Sequence, residues 1–356
     1  MGAEGGEPGP AANMAKALAF YLPQFHPIPE NDRWWGPGFT EWRNVMRARP
    51  LFPGHYQPHV PGELGYYDLR VPEVRAAQAE LARSHGISGF VYYHYWFCGR
   101  RLLERPFAEV LSSGEPDFPF ALCWANEEWT RNWDAQSGRV LVAQEYSPAD
   151  DLAHIRWLLG AFADDRYIKI DGRPLMLVYR ADQLPEPTRT FDTWRTEAQR
   201  AGFPDLYLCW VESRSRPAGG PGKYGMDATV GFMPRRRDRE LFVPAPGARS
   251  HHLIGYEESA RDELARMRTT WKRFPAVMTQ WDNTPRRPYG ATIFWNAHPP
   301  AYENWLRQTV AAVAEVRPEE NYVFLVAWNE WAEGNHLEPD ERYGRAFLEA
   351  TRRVMA

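Results

Sequence analysis

Glu330 and Glu333 stand three residues apart in the run Val326-Ala327-Trp328-Asn329-Glu330-Trp331-Ala332-Glu333-Gly334-Asn335-His336-Leu337-Glu338-Pro339. Sugar chemistry needs such a pair. One carboxyl protonates a poor leaving group, while the other acts as base or stabilises positive charge at the anomeric carbon. The i, i+3 spacing can put both on one side of a turn. Trp328 and Trp331 flank the pair. Indole faces stack on pyranose C–H faces, and exclusion of water by them is expected to raise the acid's pKa. The plainer alternative is that one glutamate only caps the turn.

Other carboxylates and amides also stand beside tryptophans: Glu41-Trp42, Trp124-Ala125-Asn126-Glu127-Glu128-Trp129, Trp210-Val211-Glu212 and Trp281-Asp282-Asn283. Aromatic residues make up 14% of the chain, including 16 Trp, and core packing alone explains one such pairing better than five. Glu127, Glu212 and Asp282 are therefore binding candidates, with structural ion pairing as the alternative. Glu338 either ligates sugar hydroxyls or pairs with an arginine. His26, His94 and His336 could form a metal trio, but their spacing matches no motif, so sugar binding and no metal are expected. The cluster Arg235, Arg236, Arg237, Arg239 reads as solvated loop charge, or alternatively as a holder of phosphate or an acidic glycan.

These residues must be positioned by something. Apolar runs of strand length recur at 17–22, 88–93, 119–124, 174–179, 206–211, 228–232, 275–281 and 322–328. Helical patterns alternate with them at about 72–85, 149–163, 193–201, 257–271, 301–316 and 343–354. Eight strands in alternation predict an α/β fold, a (β/α)8 TIM barrel, as a single domain over 15–356 with long βα loops. Residues 1–14 read as a disordered leader. The candidates cluster just after strands, the C-terminal mouth where this fold keeps its active sites. Two long loops, 26–71 and 233–255, belong to the same face. Tyr21-Leu22-Pro23-Gln24-Phe25-His26 follows the first strand where a dinucleotide fold needs a Gly-rich turn.

Composition narrows the function classes. A net charge of −4 gives no electrostatic reason to bind nucleic acid. No apolar stretch is long enough for membrane insertion. The start lacks the basic and apolar regions of a signal peptide. Three cysteines, two of them in apolar runs, fit reduced thiols and a cytoplasmic protein.

The motifs in order, Tyr21–His26, Trp34-Trp35-Gly36, Phe39-Thr40-Glu41-Trp42, Tyr92-Tyr93-His94-Tyr95-Trp96-Phe97, Trp124–Glu127 and Trp328–Gly334, resemble the WbsX-type proteins, often labelled glycosyltransferases of surface-polysaccharide loci. These in turn are similar to the family 99 endo-α-mannosidases. The resemblance spans about 18–352. It implies a barrel without metal or cofactor and retaining hydrolysis of an α-linked glycan. A carboxylate deprotonates the substrate's 2-hydroxyl, which closes a 1,2-anhydro sugar; a second protonates the leaving group, then activates water. By motif match Glu330 takes the first role and Glu333 the second. Substrate contacts are expected from Tyr21, Gln24, His26, Trp34, Trp35, Glu41, Trp42, Tyr93, His94, Tyr95, Trp96, Trp124, Asn126, Glu127, Trp129, Glu212, Trp281, Asp282, Trp328, Asn329, Trp331, His336 and Glu338. Ala332 and Asn335 replace the family's usual His and Thr, which leaves mannose specificity open. Two other readings stand beside hydrolysis: a transferase passing the same intermediate to another acceptor, and a non-catalytic carbohydrate-binding protein.

Overall fold

The computed structural model describes residues 15–131, 139–214, 216–234, 241–245, 249–316 and 321–356. The expected leader and the Arg235–Arg239 cluster lie outside them. Eight parallel strands form the frame: β1 (Lys16–Tyr21), β2 (Ile87–Phe97), β3 (Phe120–Trp124), β4 (Arg173–Val178), β5 (Tyr207–Val211), β6 (Ala228–Val230), β7 (Arg273–Phe274 with Ala276–Met278) and β8 (Tyr322–Val326). Each pairs with the next, and β8 returns to β1, with Leu18 opposite Phe324 on one side and Gly89 on the other.

Closure occurs at β7, which Pro275 splits in two. Proline has no N–H to give a ladder, so each half bonds to one neighbour. Arg273–Phe274 pairs with β6, and Ala276–Met278 pairs with β8. The Pro275 carbonyl still accepts the Phe324 N–H at 2.9 Å, so the barrel is a (β/α)8 closed through one interrupted strand.

Three of the strands are apolar along their whole length, as strands covered on both faces are. Phe120–Trp124, Tyr207–Val211 and Tyr322–Val326 are buried at every position. Seven helices cover the outside: α1 (Pro72–Arg83), α2 (Arg105–Ser113), α3 (Pro148–Phe162), α4 (Pro187–Arg200), α5 (Tyr256–Ala265), α6 (Pro299–Val316) and α7 (Ala346–Met355). Proline lies in the first turn of α1 to α4, where its fixed φ suits helix entry and its missing N–H has no partner to lose. Ser147 caps α3 by accepting the Asp150 N–H at 3.2 Å.

Differences from the sequence reading fall in the loops. Strand β2 runs four residues beyond Tyr93, folding back as a hairpin with Arg100–Leu102. Helix α2 forms where the sequence predicts no element, and the helix expected over 257–271 stops at Ala265. A small sheet of Leu241–Ala245, Arg249–Gly255 and Thr292–Trp295 stands beside the mouth. No helix among the described residues is long and apolar enough to cross a membrane. Cys123 and Cys209 are buried free thiols, and Cys98 is exposed.

Gly89 tests how tightly this frame is packed. A Cβ there would stand 2.8 Å from the Pro119 carbonyl oxygen and 2.8 Å from Ile168 Cδ1. The carbonyl is backbone and cannot swing away. Gly89→Ala is expected to lose roughly 1–3 kcal/mol by overpacking, read as a lower urea midpoint. An unchanged midpoint would mean that β2 and β3 are looser than described.

Candidate active site

Four charged side chains meet at the C-terminal mouth. Glu41 follows β1, Arg286 follows β7, and Glu330 and Glu333 follow β8. The Arg286 guanidinium binds all three carboxylates. Its Nη2 lies 3.0 Å from Glu41 and 3.2 Å from Glu330, and its Nη1 donates to Glu333 at 2.6 Å. Three carboxylates thus share one cation. Burial, reinforced by the charges of Glu333 and Glu41, pushes Glu330 well above the usual carboxylate range, against the opposing pull of Arg286. Burial and Glu41 raise Glu333 in the same way, also opposed by Arg286. Two interacting acids titrate as a pair, so the pair retains a proton at pH values where isolated glutamates are ionised. Burial disfavours the arginine's charge, but the three carboxylates prevail and hold it firmly cationic.

The turn carrying the pair is fixed from both sides. Asn329–Glu330 pairs antiparallel with Asn335–His336, and Gly334 makes the turn at φ 59°. Asn329 reproduces a peptide's donor and acceptor: its Oδ1 accepts the Leu22 N–H at 2.7 Å and its Nδ2 donates to the Leu22 carbonyl at 3.0 Å. That ties the β8 exit to the β1 exit. Asn126 ties β3 to β4 in the same way through the Arg180 backbone, at 2.8 and 2.9 Å. The Asp282 N–H donates to the Glu333 carbonyl at 2.7 Å. The Asp282 carboxylate is itself held by His55 Nε2 at 2.6 Å and Gln57 Nε2 at 2.7 Å.

Strand alternation decides which β2 residues reach this site. Tyr93 and Tyr95 face it, and the Glu330 charge helps hold both phenols above their ordinary pKa, after burial. Gln24 Nε2 approaches the Tyr95 hydroxyl at 3.5 Å. Farther out, Trp129 packs edge-on to Trp34 and Tyr95, with centroids 5.9 and 5.1 Å away. Trp34, Trp35 and Trp129 stay partly exposed, as does Glu127, which Arg180 engages at 2.5 Å and Arg214 at 3.2 Å. These residues remain able to meet a ligand.

Several expected contacts are instead scaffold. His94 and Trp96 point from the opposite face of β2 into the helical layer. His94 Nε2 lies 3.0 Å from His154 Nε2, and the Trp96 N–H donates to Asp150 at 3.0 Å. Trp124 packs there against His154 and Trp194, and Tyr21 donates to Gln78 at 2.7 Å. Trp328 is fully buried against Phe90. Trp331 stacks on His336 at 3.7 Å and Trp42 packs beside it, so these indoles support the turn from behind and offer a sugar no face. Glu338 accepts from Trp331 at 2.6 Å, Tyr67 at 2.8 Å and Gln78 at 2.6 Å, so its carboxylate is engaged with the scaffold rather than with an arginine. Glu212 is sealed in an ion pair with Arg273, which also engages Glu263 of α5. His26 is buried, which lowers its pKa to about 4. Trp281 is also buried. The trio His26, His94 and His336 does not assemble: His94 pairs with His154, and His336 with His59.

Arg286 escaped the sequence reading, since no tryptophan or strand end adjoins it in the run Pro285-Arg286-Arg287-Pro288. Because it lowers both glutamates' proton affinity, its removal must raise them. Arg286→Met is expected to shift the pair's titration upward by about one to three pH units. Carboxyl 13C NMR, assigned with the two Gln variants, measures this. An unmoved or acid-shifted titration would refute the shared-proton description.

The sequence model described as glycosyltransferase WbsX matches residues 17–351. Two curated relatives, both uncharacterized proteins WxcX from strains of Xanthomonas campestris pv. campestris, are 43% identical over 97% of this chain. The chain spans about half the length of these relatives, 50% of each. Among solved structures, a glycoside hydrolase-like protein superposes with a TM-score of 0.60 at 14% identity, covering 98% of this chain and 97% of that one. The family 99 endo-α-mannosidase from Bacteroides thetaiotaomicron superposes with a TM-score of 0.57 at 13% identity, covering 95% and 96%. At such identities the likeness is one of fold, that of a glycoside hydrolase-like barrel. Matched along nearly its whole length, the chain belongs to the WbsX glycosyltransferase family.

Proposed function

We propose that this barrel is a retaining glycan-active enzyme that hydrolyses an α-linked glycan or glycoconjugate, with Glu330 and Glu333 as its catalytic pair. One observation carries the reading: two carboxylates with raised proton affinity, held by one arginine at the mouth of the barrel. A pair holding one proton has an acid and a base at once, which glycosidic cleavage requires.

In the first step the base takes the proton of the 2-hydroxyl. That oxygen attacks the anomeric carbon while the acid protonates the departing oxygen, leaving a 1,2-anhydro sugar. In the second step the former acid, now a carboxylate, takes a proton from water as the water opens the epoxide at the anomeric carbon. The 2-oxygen recovers its proton from the first glutamate. The family motif gives the base role to Glu330 and the acid role to Glu333. In the free site Arg286 sits closer to Glu333 than to Glu330, at 2.6 against 3.2 Å, which favours the anion on Glu333. The motif roles therefore require substrate to draw Arg286 off Glu333. Tyr93, Tyr95, Gln24, Glu127, Trp34, Trp35 and Trp129 are the ligand-facing candidates.

A transferase reading shares every step but the last, with a sugar hydroxyl replacing water. The family's description as glycosyltransferases favours keeping it, and product analysis with and without acceptor sugars separates the two.

A panel of aryl α-glycosides tests the roles. Glu333→Gln should lose about 10²–10⁴-fold with poor leaving groups and much less with activated aryl groups, which need little protonation. Glu330→Gln should be crippled with both kinds, and a 2-deoxy substrate should be inert with the unmodified enzyme. Brisk turnover of the 2-deoxy substrate, or equal tolerance of both Gln variants, would leave the glutamates as mere sugar ligands.

A further inference from the structure

Behind the catalytic turn lies a cluster of ligating atoms that the chemistry above does not use. His336 stands on the strand that returns from Glu333, its ring stacked on Trp331. Its Nδ1 lies 2.9 Å from the Glu338 carbonyl, an acceptor only, so Nδ1 carries the proton and Nε2 presents a lone pair. That Nε2 is 2.8 Å from His59 Nδ1 and 3.8 Å from Asp340 Oδ2. Asp340 Oδ1 accepts the Tyr343 N–H at 2.5 Å. Its Oδ2 is buried and faces the neighbouring Tyr56 hydroxyl, without forming a well-aligned hydrogen bond to it. His59, His336 and Asp340 are 1–3% exposed. Their three ligating atoms lie within 4.8 Å of one another, the one such grouping among the described residues.

A buried carboxylate oxygen with only a poorly aligned hydroxyl beside it has capacity left for a ligand. Two imidazole nitrogens and a carboxylate oxygen converging on one point are ligands for a borderline divalent cation of the zinc class. We propose that His59, His336 and Asp340 bind one such cation, which fastens the turn bearing Glu330 and Glu333 to the 51–61 segment and the 338–343 loop. A tetrahedral zinc at about 2.0–2.1 Å from its ligands keeps them roughly 3.3 Å apart. The two rings must therefore part by about half an ångström, and His59 must take the Nε2–H tautomer. A cleft of about 290 Å³, lined by Tyr56, His59, Arg342 and Tyr343 among others, reaches His59. It offers an entry path on the His59 side. His59 already packs on the turn: a Cβ on Gly334 would stand 3.3 Å from its Cε1. The metal is structural and takes no part in the bond-making steps. Only its effect on the glutamates rests on the function proposed above; binding does not.

The experiment uses the full chain dialysed against a chelator, then titrated with zinc or cobalt(II) chloride. We expect one equivalent bound per chain, a higher melting temperature with zinc, and an intense visible d–d band with cobalt that marks protein coordination. Asp340→Asn keeps the acceptor for Tyr343 but removes the anionic ligand. This variant and His59→Gln should each weaken zinc binding at least about tenfold and lose the band. Glu330→Gln should bind as the unmodified chain does, so a failed mechanism and a failed metal site are told apart. If the ligand variants do not fold, the unmodified chain decides: a spectrum of hydrated cobalt alone overturns the site. Equal binding by the unmodified chain and the Asp340→Asn, His59→Gln double variant overturns it as well.

Discussion

Three carboxylates around one guanidinium, Glu41 and Glu330 buried and Glu333 half-buried, set the terms for the rest of this molecule. Glu41, Glu330 and Glu333 crowd about Arg286, with Arg287 a further cation acting on Glu333, and burial raises the cost of keeping all three anionic. The site resolves this by keeping a proton. On the proposed function, that proton makes one glutamate an acid while the other remains a base. The neighbouring structure supplies the constraint that keeps like charges together. Asn329 splices two loop backbones, Asp282 grips the Glu333 carbonyl, and the Trp331–His336 stack backs the turn.

The aromatic richness of the chain divides into two uses. Indoles adjoining the glutamates in sequence, Trp328 and Trp331, are interior props. The partly exposed indoles, Trp34, Trp35 and Trp129, come from loops far away in sequence and rim the mouth. The carboxylates divide likewise. Glu338 and Glu212 are spent on holding the scaffold, while Glu330 and Glu333 meet at the mouth on Arg286.

The barrel was legible because its strands are continuous apolar runs and its helices carry clear periodicity. β7 kept its place in the count although Pro275 divides it, since the residues on both sides are strand formers. The Glu330–Glu333 turn was legible from carboxylate spacing at a strand exit. Arg286 was not, because its role depends on a loop folding back over the mouth, and local sequence carries no sign of that. His94 and Trp96 were misplaced for a reason available in the sequence. They alternate with Tyr93 and Tyr95, and once β2 extends to Phe97 the period of two sends one set inward and the other to the helices. His59 stayed hidden for the same reason as Arg286: 277 residues separate it from His336.

The anomeric configuration of the first-formed product tests the central claim most directly. Proton NMR recorded as an α-linked substrate is consumed, before mutarotation, reads it without assuming which glutamate does what. Two successive displacements through a 1,2-anhydro sugar predict that the α-configured product appears first. A β-configured first product would mean a single displacement by water, and the Glu330–Glu333 pair would not be working as described.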